Sequence, residues 1–552
     1  MKKSIQIITL LVLLSILNKI QAQAPSWAWA KTQGNTGLDM ARSICTDAAG
    51  NVYVTGSFKS ATITFGSTTL TNSQVNFDEM YVVKYNSAGV VQWAKGGGGT
   101  GDERGQSVYA DASGNVWVIG YFTSASAFFG SNTFTNAGSG TMDVFVMKYS
   151  ASSGTPLFGI KFGSSTAEQG YGICTDAAGD VYITGNFVAP LTMGSTNLSQ
   201  GSVYVAKMNG STGSFIWAKE PAAASNATGR ALRADASGNL YVTGYYLDPT
   251  LTLGSTTLNN ADGSGTTNDC FLAKYSASNG NVAWAKNGAG ASNDLALGLN
   301  LDGSGNPIVT GYFNSTSFTF GSALVNAGSG TSDVFLVKYN SAGTPVWSKK
   351  TGGTGADVGE SLATDPAGNV YLTGYFQSAT LVFGSTTLTN SSSGTADIFV
   401  QKYDVNGSPV WMTGSGGGNP DFSYGLDIDI SGNIFITGYY DSPSLIFGST
   451  TITNAQSGID DIFVAKISSS STDVPQFSNF RSQFSVYPNP FNTKITISGI
   501  EESADLSVVN LIGETIYKSE ITSDKTEIDL SNFRSGIYFI KVGSVTKKII
   551  KE

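Results

Sequence analysis

Residues 47–56 read DAAGNVYVTG, and close copies of this phrase begin at Asp111, Asp176, Asp235, Asp302, Asp365 and Asp429. Successive copies start 64, 65, 59, 67, 63 and 64 residues apart. Such a period marks a repeat in which one supersecondary unit cannot bury its apolar face alone. Within the phrase, D-x-x-G is turn chemistry, because the carboxylate can bond backbone amides and Gly accepts positive φ. The following NVYVTG alternates with the period of two that belongs to a strand.

Working outward, each unit supplies four strands. One ends at the repeat Asp, as in SICT before Asp47, and NVYVTG is the second. The third is of the kind DVFVMKY (143–149) or DIFVQKY (397–403). A small-residue turn leads to the fourth, VQWAK (91–95) or VAWAK (282–286). Four antiparallel strands per unit describe a propeller blade, with a solenoid as the rival architecture. The ends of the repeat favour the propeller. The seventh unit stops after IFVAKI (462–467) without a Trp strand, while Trp29-Ala30-Lys31 near the N-terminus matches Trp93-Ala94-Lys95. The expected fold is all-β: a seven-bladed β-propeller over 23–467 closed by the N-terminal strand, which leaves no open sheet edge.

The aromatic recurs at Trp29, Trp93, Phe158, Trp217, Trp284, Trp347 and Trp411. Its fixed place in every unit reads as packing between blades, with carbohydrate stacking as the alternative. Between strands two and three, stretches such as ATITFGSTTLTN (61–72) suggest a two-residue type II′ hairpin at Gly66-Ser67 and its equivalents, forming a rim of loops.

Acidic residues lie eight positions before the repeat Asp: Asp39, Glu103, Glu168, Asp294, Asp357 and Asp421, with Ala227 in the fourth unit. Two readings stand. They circle one mouth of the central channel and hold a cation such as calcium, or they cap backbone amides in the Gly-rich loops between blades. A second set, Glu79, Asp143, Asp269, Asp333, Asp397 and Asp461, precedes strand three, five residues before a Lys present in every unit, and reads as structural. No cofactor is expected beyond that cation.

There is no His among the 552 residues, which excludes Ser-His-Asp and Cys-His nucleophile systems and imidazole metal sites. Cys45, Cys174 and Cys270 read as small buried hydrophobes. The net charge of −9 becomes −12 without Lys2, Lys3 and Lys19, so nucleic acid and anionic membrane are poor partners. Residues 1–22, with Lys2-Lys3, the apolar Ile5–Leu17 and Ala22, read as a signal peptide. No later stretch is long and apolar enough to span a membrane as a helix.

Residues 468–482 are Ser-rich and read as a linker. From 483 to 552 short alternating strands such as KITISGI and GIYFIKV suggest a small antiparallel β-sandwich. The 27–467 units resemble SBBP-type β-propeller repeats through D-x-x-G-N-x-Y-x-T-G and D-x-F-x-x-K. The C-terminal segment resembles the type A sorting domain of type IX secretion in Bacteroidota. Pro488, Asn489, Pro490, Gly536, Tyr538 and Lys541 carry that resemblance, together with Val508–Glu514 and Lys547–Glu552. It implies export, engagement of the type IX machinery, and a location outside the cell or on its surface. The expected function is a non-enzymatic binding or adhesion protein, monomeric, with an extracellular glycan or protein as ligand. A polymer-degrading enzyme using channel carboxylates and a structural surface-layer component are the alternatives.

Overall fold

The computed structural model describes residues 23–469, apart from 139, 223–225 and 329, and residues 485–552, apart from 500–503, 511–513, 522, 524, 543 and 544. The expected signal peptide and most of the expected linker lie outside the described residues. The chain divides into two compact units, Met1–Ser470 and Ser471–Glu552, and the described residues form strands and no helix.

The first unit is all-β and propeller-like, with seven antiparallel sheets, six of four strands and one of six, in which the hairpin of Ser317–Phe320 and Ser322–Val325 pairs onto Val282–Gly290. In the first sheet Asp39–Thr46, Val52–Phe58, Glu79–Tyr85 and Val91–Gly97 lie side by side in chain order. The next five repeat this meander. In the seventh, Asp421–Ile428, Ile434–Tyr440 and Asp461–Ile467 are joined by Trp27–Gln33. Trp29 lies opposite Lys466, the same register that sets Trp93 opposite Lys84 and Trp347 opposite Lys338. The first strands of successive sheets pack on one another in order, and Asp421–Ile428 packs on Asp39–Thr46. Thr46 cements that last contact by donating its N–H (2.7 Å) and Oγ–H (3.0 Å) to Asp427 Oδ2.

Both faces of each second strand are covered, so Val52–Phe58 is buried along its whole length. Core clusters therefore straddle neighbouring sheets, as where Cys45, Tyr53 and Met80 meet Val118, Phe122 and Phe145. Cys45, Cys174 and Cys270 are buried and unbonded.

The recurring aromatics hold neighbouring sheets together. Trp93 lies against the turn of the next sheet at Gly154, where a Cβ would come within 2.6 Å of the indole, and its Nε1–H donates to Ala151 O at 3.2 Å. Trp217 and Trp347 repeat this on the turns at Gly280 and Gly407. Trp29 does the same to the Gly89 turn, bonding Ser87 O at 3.3 Å, so the last sheet clasps the first as Trp93, Trp217 and Trp347 clasp the next sheet.

The recurring Lys faces the repeat Asp of its own sheet, and Lys84, Lys274 and Lys466 also donate to Ala151 O, Ser341 O and Ser87 O in the turn of the next sheet. Lys338 Nζ lies 2.8 Å from Asp302 and Lys148 Nζ 3.1 Å from Asp111, in both cases the repeat Asp of the turn. Lys148 also sits over the Trp117 ring and Lys84 over Tyr53. The same Asp organises its turn: Asp47 Oδ1 accepts the N–H groups of Ala49 and Asn51, each at 2.9 Å.

The additional hairpins form as expected in six repeats. Phe65 pairs with Thr68, leaving Gly66-Ser67 as the loop, with φ of 59° at Gly66 as a type II′ turn requires. In the fifth repeat Phe320 pairs with Ser322, so the loop is Gly321 alone, because FGSAL is one residue shorter than FGSTTL. One face of each hairpin is buried, and the other carries exposed side chains such as Phe128, Val382 and Ile446.

The second unit is a sandwich of a three-stranded sheet (Ser485–Tyr487, Lys494–Ser498, Lys525–Asp529) and a four-stranded one (Ala504–Val509, Thr515–Ile521, Gly536–Val542, Val545–Lys551). Ile495, Ile497, Leu506, Val508, Ile540 and Ile549 form part of its core. Asn489 ties the Pro488–Pro490 loop to the final strand, accepting from Ile550 N–H at 2.8 Å and donating to Lys548 O at 2.9 Å. Tyr538 donates its hydroxyl to Arg534 O, and Lys541 is exposed.

Candidate functional site

Asp39, Glu103, Glu168, Asp294, Asp357 and Asp421 each open the first strand of a sheet, and all six are fully buried. Asp357 shows how they are used. Its Oδ1 accepts the N–H groups of Gln377 and Ser378, each at 3.2 Å, while Oδ2 accepts Gly353 N–H at 2.8 Å and Ser378 Oγ–H at 2.6 Å. Asp39 with Ser60, Asp294 with Ser315 and Asp421 with Ser442 repeat the pattern. Glu168 takes Ser164 and Thr166 instead, and Glu103 accepts from Ser124 N–H at 3.4 Å. Burial pushes these carboxyls up, to about 6 at Asp39 and Asp357, about 7 at Asp294 and Asp421, and about 8 at Glu103. The structure does not bring the six together. These carboxyls cap amides in the loop that leads from the preceding sheet and in the turn after their second strand, the capping alternative, and among the described residues no three Asp, Glu or Cys form a group able to hold a metal ion.

The side chains that do converge come from a different position, three residues after the acid. In every first strand the ladder slips there by one residue, a β-bulge at Arg42, Gln106, Tyr171, Arg230, Leu297, Glu360 and Tyr424. A bulge leaves one residue unpaired and re-aims its side chain. The final Gly of the repeat phrase makes room for it. A Cβ on Gly374 would lie 1.9 Å from Val358 O, and one on Gly56 1.9 Å from Met40 O. The Gly that ends DAAGNVYVTG in every repeat is thus the steric condition for the bulge, and the bulge presents a position whose residue changes from sheet to sheet.

All seven first strands line a central cavity of about 390 Å³. A second cavity of about 360 Å³ shares Ser43, Ser107, Arg233, Ser361 and Tyr424 with it, so the two adjoin. The repeat region contains four arginines, Arg42, Arg104, Arg230 and Arg233, and all four line the cavity. Arg104 is held by Asp78, with Nη2 at 2.7 Å and Nε at 2.8 Å from Oδ2. Arg42 and Arg230 are held differently. Arg230 stacks over Tyr171 at 4.7 Å and Arg42 over Tyr424 at 5.5 Å, and the Nε of each is buried with no hydrogen-bond partner. Glu360 is the carboxyl in the first cavity, pushed up to about 7 by burial, with Arg230 and Arg42 pulling it back. Asp427 occupies the second cavity, committed to Thr46.

Residues 485–552 match the secretion system C-terminal sorting domain, and residues 346–375 match the β-propeller repeat family SBBP. The sorting domain marks the protein for export, to be secreted or attached at the cell surface. An uncharacterised WD repeat-containing protein of Acanthamoeba polyphaga mimivirus is 23% identical over 65% of this chain and 32% of its own length. The regulatory protein FlaEY of Caulobacter vibrioides is 34% identical over 20% of this chain and 12% of its own. The chain therefore spans a third or less of these relatives. Among solved structures, the WD40 β-propeller domain of Doa1 aligns with a TM-score of 0.41 at 12% identity, over 81% of this chain and 98% of that one. PorZ, a surface component of the type-IX secretion system of Porphyromonas gingivalis, aligns with a TM-score of 0.30 at 11% identity, over 93% of this chain and 70% of that one. No described helix is long and apolar enough to cross a membrane.

Proposed function

Taking residues 485–552 as the sorting domain they match, we propose that this chain is a non-enzymatic binding or adhesion protein, working outside the cell through a seven-bladed propeller closed by its N-terminal strand. The shared Trp–Lys register of Trp29 and Lys466, and the clasp of Trp29 on the Gly89 turn, support the closed ring. One observation carries the binding reading. The seven bulges carry Arg42, Gln106, Tyr171, Arg230, Leu297, Glu360 and Tyr424, and all of them line one cavity. A repeat scaffold that varies at the residues it presents is built for recognition. Glycoside cleavage would call for two carboxyls about 5–9.5 Å apart across the scissile bond, whereas the first cavity sets Glu360 among arginines. The expected partners are the type IX machinery, through the sorting domain, and an extracellular glycan or protein, through the propeller.

The test is a glycan and matrix-protein array probed with the exported protein, alongside turnover assays on the polymers it binds. Saturable binding without cleavage is the expected result. Release of product from a bound polymer would replace this reading with an enzymatic one.

A further inference from the structure

Arg42, Arg230 and Glu360 project from the equivalent bulges of the first, fourth and sixth sheets, so three charged groups share one level of the cavity. Each guanidinium has an aromatic ring against it and a buried Nε–H with nothing to donate to. Arg230 has no hydrogen bond or ion pair among the described residues, and Arg42 makes a single 3.4 Å bond to Met40 Sδ. A buried, unmatched donor on a charged group is costly, and acceptors of opposite charge relieve that cost. Guanidinium forks suit planar oxyanions, which they grip with two parallel N–H bonds. At the same level Gln106 offers an amide and Glu360 an acceptor, groups that match hydroxyls rather than a second anion. At about 390 Å³ the cavity falls in the range of small-ligand sites.

We propose that this cavity binds a hydroxylated carboxylate of sugar-acid size, its carboxylate between Arg42 and Arg230 and its hydroxyls toward Glu360 and Gln106. The proposal rests on the reading of the chain as an extracellular binder and gives that reading a ligand class. A uronic acid, free or at the end of an acidic polysaccharide, has this chemistry.

The experiment is calorimetric titration of the exported protein with glucuronate, glucose and acetate. Glucuronate is expected to bind and glucose is not. Acetate is expected to bind at least tenfold more weakly than glucuronate. Arg42→Gln with Arg230→Gln should weaken glucuronate binding at least tenfold while leaving the melting temperature in place. Should that pair fail to fold, Arg42→Lys with Arg230→Lys, which keeps the charge and loses the fork, should show a smaller loss. No heat with millimolar glucuronate, or equal affinity in the folded variants, overturns the proposal. Acetate binding as tightly as glucuronate overturns it too, because the site would then be a bare anion site. An array ligand still bound by the arginine variants would leave the binding reading standing and remove this inference alone.

Discussion

Replacing Gly374 by Ala tests the link between the repeat phrase and the cavity. The added Cβ would stand 1.9 Å from Val358 O, 3.0 Å from Val358 C and 3.1 Å from Gly359 Cα. All three are backbone atoms, so no side chain can swing away, and the carbonyl would have to retreat by roughly 1.5 Å to reach an ordinary contact. Overpacking of this kind costs about 3 kcal/mol or more. Gly394 is the control. It has φ of 88° and nothing within 4 Å of its Cβ position, so Gly394→Ala meets only the left-handed backbone penalty of about 1–2 kcal/mol. Urea unfolding followed by tryptophan fluorescence should therefore place the midpoint of Gly374→Ala clearly below that of Gly394→Ala, with similar slopes. Because the displaced carbonyl lies two residues before Glu360, glucuronate affinity should fall in Gly374→Ala and hold in Gly394→Ala. Equal midpoints for the two variants would refute the claim that the repeat Gly exists to seat the bulge.

Other outcomes follow from the same geometry. Because burial raises Asp39, Glu103, Asp294, Asp357 and Asp421 above their ordinary range, the folded state binds more protons than the unfolded one between pH 4 and 8. Stability should therefore be fullest near pH 4 and fall as pH rises toward 8, and Asp294→Asn should flatten part of that slope in denaturation curves. A profile rising from pH 4 to 8 would contradict this. Chelation should leave the melting temperature unchanged, since the acids at the strand starts accept hydrogen bonds from the loops beside them; a fall in EDTA reversed by calcium would restore the cation reading. Removing residues 23–33 should uncover the Asp461–Ile467 edge and produce oligomers in light scattering, since an unpaired strand edge templates association.

Much of this architecture was legible because a strand period of two nested in a repeat of about 64 residues is hard to mistake. The orphan Trp29-Ala30-Lys31 pointed to its partner, and it pairs with Asp461–Ile467 as the repeat implies. The acids were harder, since a carboxylate in a Gly-rich loop suits a cap as well as an open mouth. A deciding signal was present. Ser60, Ser124, Ser315, Ser378 and Ser442 each stand 21 residues after their acid, and in the fourth repeat Ala227 replaces the acid while Asp248 replaces the Ser. The cavity lining escaped because counting by twos fails at a bulge: beyond Ala41 or Gly359 every side chain is one step out of phase. Its trace in the sequence was variation, with Arg, Gln, Tyr, Arg, Leu, Glu and Tyr three residues after the acid. The residue directly after the acid (Met40, Arg104, Gln169, Thr228, Leu295, Val358, Phe422) varies as much, so variation alone did not single the position out.

That position also offers the most direct test. Leu297 shows that the bulge accepts leucine, so Arg42, Tyr171, Arg230, Glu360 and Tyr424 can all be changed to Leu with the repeat acids, turns and glycines left intact. Binding of this variant and of the unmodified protein to the ligand found on the array should be compared by titration, with circular dichroism to establish that both are folded. The variant is expected to fold and to lose binding. A folded variant that binds as the unmodified protein does would contradict the central claim and move recognition to the exposed faces of the hairpins.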